Sequence, residues 1–324
     1  MNRKLLLSGL TALLLLFSLT IAACGDDDES GDSVTTVEDT TQAIKSNPAN
    51  GDVKIVVGSK NFTEQKILGE VFAQGLAAAG YDISTELNLG DEKTALKAIK
   101  SGTIDAYPEY TGTALGSFFG VASEDIPTDP QAAFEEAKQG FAKEGLTALP
   151  PTPFTSSNEV ALTADKADEL GVEKISDLQG KSQDLTLYGS PECRQRQDCL
   201  LGLQQVYDLQ FKKFVPVDLA LRHEVLEKGQ ADLSIVFTTD PQNERDDLVL
   251  LKDDRGMFPP YNSTLVVRDQ TIEAAGPDLA KVVAQVEKGL TGEVMSELNA
   301  RVDLDKQTPE QVAKAYLQES GLIK

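Results

Sequence analysis

The segment VKIVVGS, residues 53–59, is a β-branched run that stops at Gly-Ser. A short apolar run bounded by turn residues predicts a buried strand. NFTEQKILGEVFAQGLAAAG follows at once, with Phe62, Ile67, Leu68, Val71, Phe72 and Leu76 at helical spacing. Asn61 fits an N-cap with Glu64 three residues on, and Gly80 fits a C-cap. YDISTELNL then alternates as a strand, DEKTALKAIKSG reads as a short helix, and TIDAYPEY begins as a strand. Strands alternating with helices restrict the chain to the α/β class. The pattern continues with a helix in DPQAAFEEAKQGFAKEG, strands in EVALTAD and LTLYGS, and a helix in LLGLQQVYDL. Strands KKFVPVDL and ADLSIVFTT flank a helix in ALRHEVLEKG, and STLVVRD is a further strand. The last sixty or so residues are mostly helical.

The N-terminus predicts export. Arg3 and Lys4 precede the apolar run LLLSGLTALLLLFSLTIAA, which ends at small residues before Cys24. An apolar run that stops at small-small-Cys is better explained by cleavage than by a membrane span. TIAAC resembles a bacterial lipobox, which makes residues 1–23 a signal peptide and Cys24 the lipidated first residue of the mature chain. Residues 24–51 are acidic, rich in Ser and Thr and poor in large apolar side chains. Such a segment buries too little to offset its ordering entropy and predicts a flexible tether. The expected location is the outer face of the cytoplasmic membrane or the periplasm, with the lipid as the membrane contact.

Thirty basic against 52 acidic residues give a net charge of −22, and loss of Arg3 and Lys4 would leave −24. That charge argues against nucleic acid as a partner. The remaining cysteines, Cys193 and Cys199, form an even pair in an exported chain, so a local disulfide is expected. A metal site would need more ligands than these, and His223 is the single histidine. No GxSxG occurs, and a disulfide leaves no thiol for nucleophilic work. The sequence thus points away from an enzyme and implies no cofactor and no metal.

Five blocks, in order, carry a stronger signal: GSKNFTEQKILGE, AIKSGTIDAYPEYTGT, EKGQADLSIVFTTD, DDRGMFPPYN and ELNARVD. Together they resemble the substrate-binding proteins of bacterial ABC importers for glycine betaine, choline, carnitine and related compatible solutes. The resemblance implies a two-lobed periplasmic-binding-protein fold of type II. Residues 52–154 and 259–324 would form one lobe and residues 155–258 the other, with the ligand in the cleft between them. It also implies a small osmolyte as ligand, and the permease and ATPase of an ABC importer as protein partners.

A quaternary ammonium has no N–H to donate, so aromatic faces must hold it; a carboxylate wants Lys, Arg and hydroxyl donors. By the resemblance, Lys60, Thr113 and Arg196 take the carboxylate, with the Cys193–Cys199 bridge fixing the loop that presents Arg196. Tyr110, Tyr261 and Phe237 take the cation, Phe237 standing where the family commonly has Tyr. Asn158, with Ser156 and Ser157 near it, stands where the family often has an aromatic. That leaves the cage thinned on one side, for a quaternary ammonium held by three rings or for a more polar zwitterion. A sensory lipoprotein that has lost transport is the third reading. Tyr107 is expected to support the loop, Pro108 to set a bend, and Glu109 to orient Lys60 or Arg196 or to face solvent. Asp240 is expected beside the cage, tuning charge or capping a turn.

Overall fold

The computed structural model describes residues 42–324, so the signal peptide, Cys24 and the start of the tether lie outside the described residues. Two five-stranded sheets organise the chain. The first contains β1 (Lys54–Gly58), β2 (Asp82–Glu86), β3 (Ala106–Tyr110), β4 (Leu146–Ala148) and β10 (Ser263–Arg268), in the order β2-β1-β3-β10-β4. The second contains β5 (Asn158–Thr163), β6 (Thr186–Gly189), β7 (Lys213–Pro216), β8 (Leu233–Phe237) and β9 (Leu248–Leu251), in the order β7-β6-β8-β5-β9. In each sheet the first three strands of that order run parallel, and the last two are antiparallel to their neighbours.

Both faces of the first sheet are buried, as parallel strands require. Ala106 and Tyr110 of β3 and Leu265 and Val267 of β10 face one core, where the helix Thr63–Ala78 packs with the C-terminal helices through Ile67, Val71, Phe72, Leu279, Val283, Leu298 and Leu317. Tyr107 and Val266 face the other, with Ile99, Leu115, Phe134 and Phe141. Tyr107 and Tyr110 therefore point to opposite faces, because side chains alternate along a strand. Pro108 lies inside β3 opposite Leu265, beyond the single pair Val57–Ala106 that joins β3 to β1, and sets no bend. The second sheet follows the same rule, with Val160, Leu162, Leu187 and Ile235 on one core and Ala161 and Val236 on the other.

The chain passes between the sheets twice, and the two crossings are bonded side by side. Thr155 bridges Asn262, Ser156 N–H donates to Tyr261 O at 3.1 Å, and Asn262 Nδ2 donates to the carbonyls of Thr152 and Phe154 at 3.1 and 3.0 Å. Gly112, in the YTGT stretch, lies under this ribbon. A Cβ there would sit 2.7 Å from Pro259 and 2.8 Å from the Pro260 carbonyl, so the close approach requires glycine.

Four local expectations change. The first helix begins at Thr63 with Phe62 as N-cap, and no capping box forms because the Glu64 side chain turns inward. The ALRHEVLEKG helix splits into a 3₁₀ turn, Leu219–Leu221, and one turn at Glu224–Glu227; Arg222 at the break reaches back to Asp240. The edge strands β4 and β9 were not anticipated, being too short to show a period. Residues 42–51, expected to belong to the tether, are laid against the first lobe. Ile44 N–H donates to Leu322 O and Asn47 N–H to Ala79 O, both at 2.9 Å, while Ile44 packs on the core.

Cys193 and Cys199 are joined, with Cα atoms 5.1 Å apart. Arg196 sits between them, its N–H donating to Cys193 O and its carbonyl accepting from Cys199 N–H, each at 3.3 Å. Gly202, in the next helix, packs so tightly on this loop that a Cβ would fall 1.7 Å from Gln197 O. Closing so short a loop stabilises by about 2 kcal/mol through chain entropy. Replacing both cysteines by serine should lower the denaturation free energy by about that amount. Identical urea midpoints for the oxidised and reduced protein would show that the bridge constrains nothing.

Candidate functional site

A cavity of about 60 Å³ opens at the C-terminal ends of β1 and β3, where the two lobes face each other. Lys60, Tyr110, Thr113, Ser156, Asn158, Arg196, Phe237 and Tyr261, expected from the sequence, all line it. The turn after β1 supplies Lys60, the end of β3 supplies Tyr110, and the short helix after it supplies Thr113. Asn158 and Phe237 are direct cross-strand partners at the ends of β5 and β8. Tyr261 and Ser156 come from the crossing ribbon, and Arg196 from the disulfide loop.

Phe62 completes the aromatic set. Its ring lies 6.2 Å from Tyr110, nearly parallel, and 5.2 Å from Phe237, so one contact joins the lobes. The expected gap beside Asn158 therefore does not leave three rings alone: the cavity has four. The sequence reading placed Phe62 on the buried face of the first helix. Phe62 does pack, part-buried, against that core, and from the N-cap position it also faces the cavity. Behind Phe237, the Arg222 guanidinium stacks 4.2 Å from the ring centroid. Asp240 binds that guanidinium at 2.5 and 2.9 Å and accepts from Phe237 N–H at 2.8 Å. Asp240 thus fixes Phe237 from behind, and its charge is committed to Arg222. His223, 3.4 Å from Asp240, is also drawn into this cluster, and burial lowers its pKa.

The cations of the site are buried with carboxylates. Lys60 is 4% exposed, and its ammonium pairs with Glu109, which is fully buried. The same ammonium lies 4.7 Å from the Tyr110 ring centroid. Glu109 further accepts from Tyr110 N–H at 2.8 Å and from the Tyr107 hydroxyl at 3.2 Å. Burial pushes the Glu109 carboxyl up, and Lys60 opposes that rise. Tyr107 acts on the cavity only through Glu109, from the far side of the sheet.

Arg196 binds Asp198 through Nε at 2.8 Å and Nη2 at 2.5 Å, with Glu92 3.6 Å from Nη1 and the Thr113 hydroxyl 3.5 Å from Nη2. The Tyr261 hydroxyl donates to Asp198 Oδ2 at 2.5 Å, and Asn158 Nδ2 donates to the Asp198 carbonyl at 3.1 Å. Burial alone would raise Asp198; Arg196 and Tyr261 outweigh it and hold the carboxyl below its usual range. Burial and the neighbouring carboxylates drive the hydroxyls of Tyr110 and Tyr261 well above their ordinary pKa, so both remain donors. Asp198 and Glu92 were missed from sequence. Asp198 stands two residues from Arg196, but nothing local shows that the two side chains fold back on one another.

Chemically, the cavity offers aromatic faces from both lobes and two cations held by charge-assisted bonds. That suits a small molecule bearing a diffuse positive charge, and one oxyanion beside it. Phe62→Ala should weaken binding of a quaternary ammonium by about 0.5–2 kcal/mol, roughly 2- to 30-fold in Kd. An unchanged Kd by isothermal titration would remove Phe62 from the cage.

A family model for the substrate binding domain of ABC-type glycine betaine transport systems matches residues 53–319. The glycine-betaine-binding protein of Pseudomonas aeruginosa is 33% identical over 278 residues, 82% of this chain and 88% of that protein. An ergothioneine transport permease/ergothioneine binding protein of Helicobacter pylori is 31% identical over 270 residues, 83% of this chain and 48% of that longer protein. In fold, the chain is similar to a solved glycine betaine/carnitine/choline ABC transporter structure, with a TM-score of 0.66 at 24% identity, covering 84% of this chain and all of that one.

Proposed function

This chain belongs to the family of substrate-binding domains of ABC-type glycine betaine transport systems, and on that premise we propose that it holds glycine betaine or a related quaternary ammonium compound between its lobes. It is an extracytoplasmic receptor that passes this osmolyte to the permease and ATPase of an ABC importer, and the family consists of receptors, not enzymes. One observation carries the choice of ligand: Phe62, Tyr110, Phe237 and Tyr261, drawn from both lobes and the ribbon between them, line a single cavity with Lys60 and Arg196. The rings attract the trimethylammonium head through cation–π contact. Arg196 keeps Nη1 outside its fork with Asp198, and with Thr113 and Lys60 it receives the carboxylate. Asp198 holds the guanidinium by one edge and Glu92 lies 3.6 Å from Nη1, so the group is already oriented when ligand arrives.

Rings on both lobes give the ligand more contacts when the lobes are together than apart. Binding therefore favours closure by that difference in affinity. In the same reading, Cys24 carries a lipid that ties the receptor to the membrane. Labelling with a fatty-acid probe should mark the mature chain and leave Cys24→Ala unmarked; equal labelling of both would exclude the anchor.

A thermal-shift panel of glycine betaine, choline, carnitine and proline betaine tests the ligand, since binding to the folded state alone raises the melting temperature. Lys60→Ala and Arg196→Ala should each remove the shift with glycine betaine while leaving most of the shift with choline, which has no carboxylate. Equal losses for both ligands would overturn the division into two half-sites. A response to an amino acid and to no quaternary ammonium would move the assignment to a more polar zwitterion.

A further inference from the structure

Glu64 is buried at 3% exposure in the first turn of the helix Thr63–Ala78, and the described residues place no cation against it. Its oxygens accept instead from three neutral donors that come from three parts of the chain. The Tyr110 hydroxyl donates to Oε1 at 2.6 Å; the Thr239 hydroxyl donates to Oε2 at 2.5 Å; Asn299 Nδ2, from the helix Gly292–Asp303, donates to Oε2 at 3.0 Å. Asn299 Nδ2 also donates to the Thr239 carbonyl at 3.1 Å. Thr239 belongs to the connection that leaves β8 of the second lobe, two residues beyond Phe237. Two side chains of the first lobe thus grip both the hydroxyl and the backbone of Thr239. Since the one Thr239 proton goes to Glu64, the Ser156 hydroxyl, 2.8 Å away, donates to Thr239.

We propose that Glu64 is a positioning residue that couples the aromatic cage to lobe docking, its carboxylate orienting the Tyr110 ring through one oxygen and holding the Phe237-bearing segment of the other lobe through the second. This rests on the reading of the cavity as a quaternary ammonium site. The geometry supplies the reason. Burial pushes the Glu64 carboxyl up and its hydrogen bonds oppose the rise, so a buried acid without a counter-ion depends on those bonds. Separating the lobes would take Thr239 from Oε2 and leave that oxygen short of a donor. Keeping them together fixes the phenol of one cage residue and the chain carrying another. Glu64 touches no ligand: it stands behind Tyr110, and its effect on affinity passes through that ring and through closure.

The test compares Glu64→Gln, Thr239→Val, Thr239→Ser and Tyr110→Phe with wild type in isothermal titration against choline and glycine betaine. Glu64→Gln keeps the side chain's shape and should weaken both ligands at least tenfold, with circular dichroism unchanged. Thr239→Val should weaken them comparably, and Thr239→Ser, which keeps the hydroxyl, should match wild type. The double variants of Glu64→Gln with Thr239→Val or Tyr110→Phe should be no weaker than Glu64→Gln alone, as expected for residues acting as one unit. Additive losses, or a Glu64→Gln Kd within twofold of wild type, would overturn the proposal and leave Glu64 a plain structural carboxylate. Hydrogen exchange of the unliganded protein keeps this separate from the ligand assignment. Glu64→Gln should speed exchange of the amides at 238–240 tenfold or more even if no quaternary ammonium binds, and unchanged protection there would overturn the latch.

Discussion

Taking a lysine and an arginine out of water costs several kcal/mol each unless a carboxylate goes with them in good geometry. This chain buries both at one small cavity, and each brings its own acid: Glu109 for Lys60, Asp198 with Glu92 for Arg196. The pairings decide much of what surrounds them. Glu109 has to enter from the interior of a central strand, so β3 carries a glutamate with no exposure and a tyrosine behind it to fill its remaining bond. Asp198 has to lie beside Arg196, so the loop that holds both is closed by a disulfide and seated on a glycine. The result is a site whose charges are oriented before any ligand arrives, which lowers the reorganisation that binding must overcome.

The second constraint is the doubled crossing. Two strands bonded at Thr155–Asn262 join the lobes, and Ser156, Asn158 and Tyr261 lie on that ribbon or just beyond it. Phe62 on one side and Phe237 on the other meet across the lobes, their ring centroids 5.2 Å apart. The cage therefore draws its rings from both lobes and from the ribbon between them. Arg222 behind Phe237 and Glu64 behind Tyr110 brace two of these rings from outside the cavity.

Strong periodic signals were legible in the sequence, and so were residues that local motifs carry. The first helix, the helix at 130–143 and the three C-terminal helices match their apolar spacing, because burial of one face writes a repeat into the chain. Edge strands of three or four residues write none, and β4 and β9 escaped notice. Helical spacing counted Phe62 with the core, against which it packs; its contacts with Tyr110 and Phe237 at the cavity join distant segments and left no local signal. Residues 42–51 looked too polar to order, yet Ile44, Asn47 and Asn50 hold the segment against the first lobe.

By itself the sequence determined the α/β class, the cysteine pair, and the kinds of side chain a zwitterion or quaternary cation requires, since each is set by local pattern or by residues within a short block. Only the tertiary structure decided how those side chains are matched. Lys60 meets Glu109 across 49 residues, Glu64 meets Thr239 across 175, and Phe62 meets Phe237 from opposite lobes. Such pairings are invisible to any window along the chain. They depend on which strand faces which, and on the direction each side chain takes once both sheets are formed.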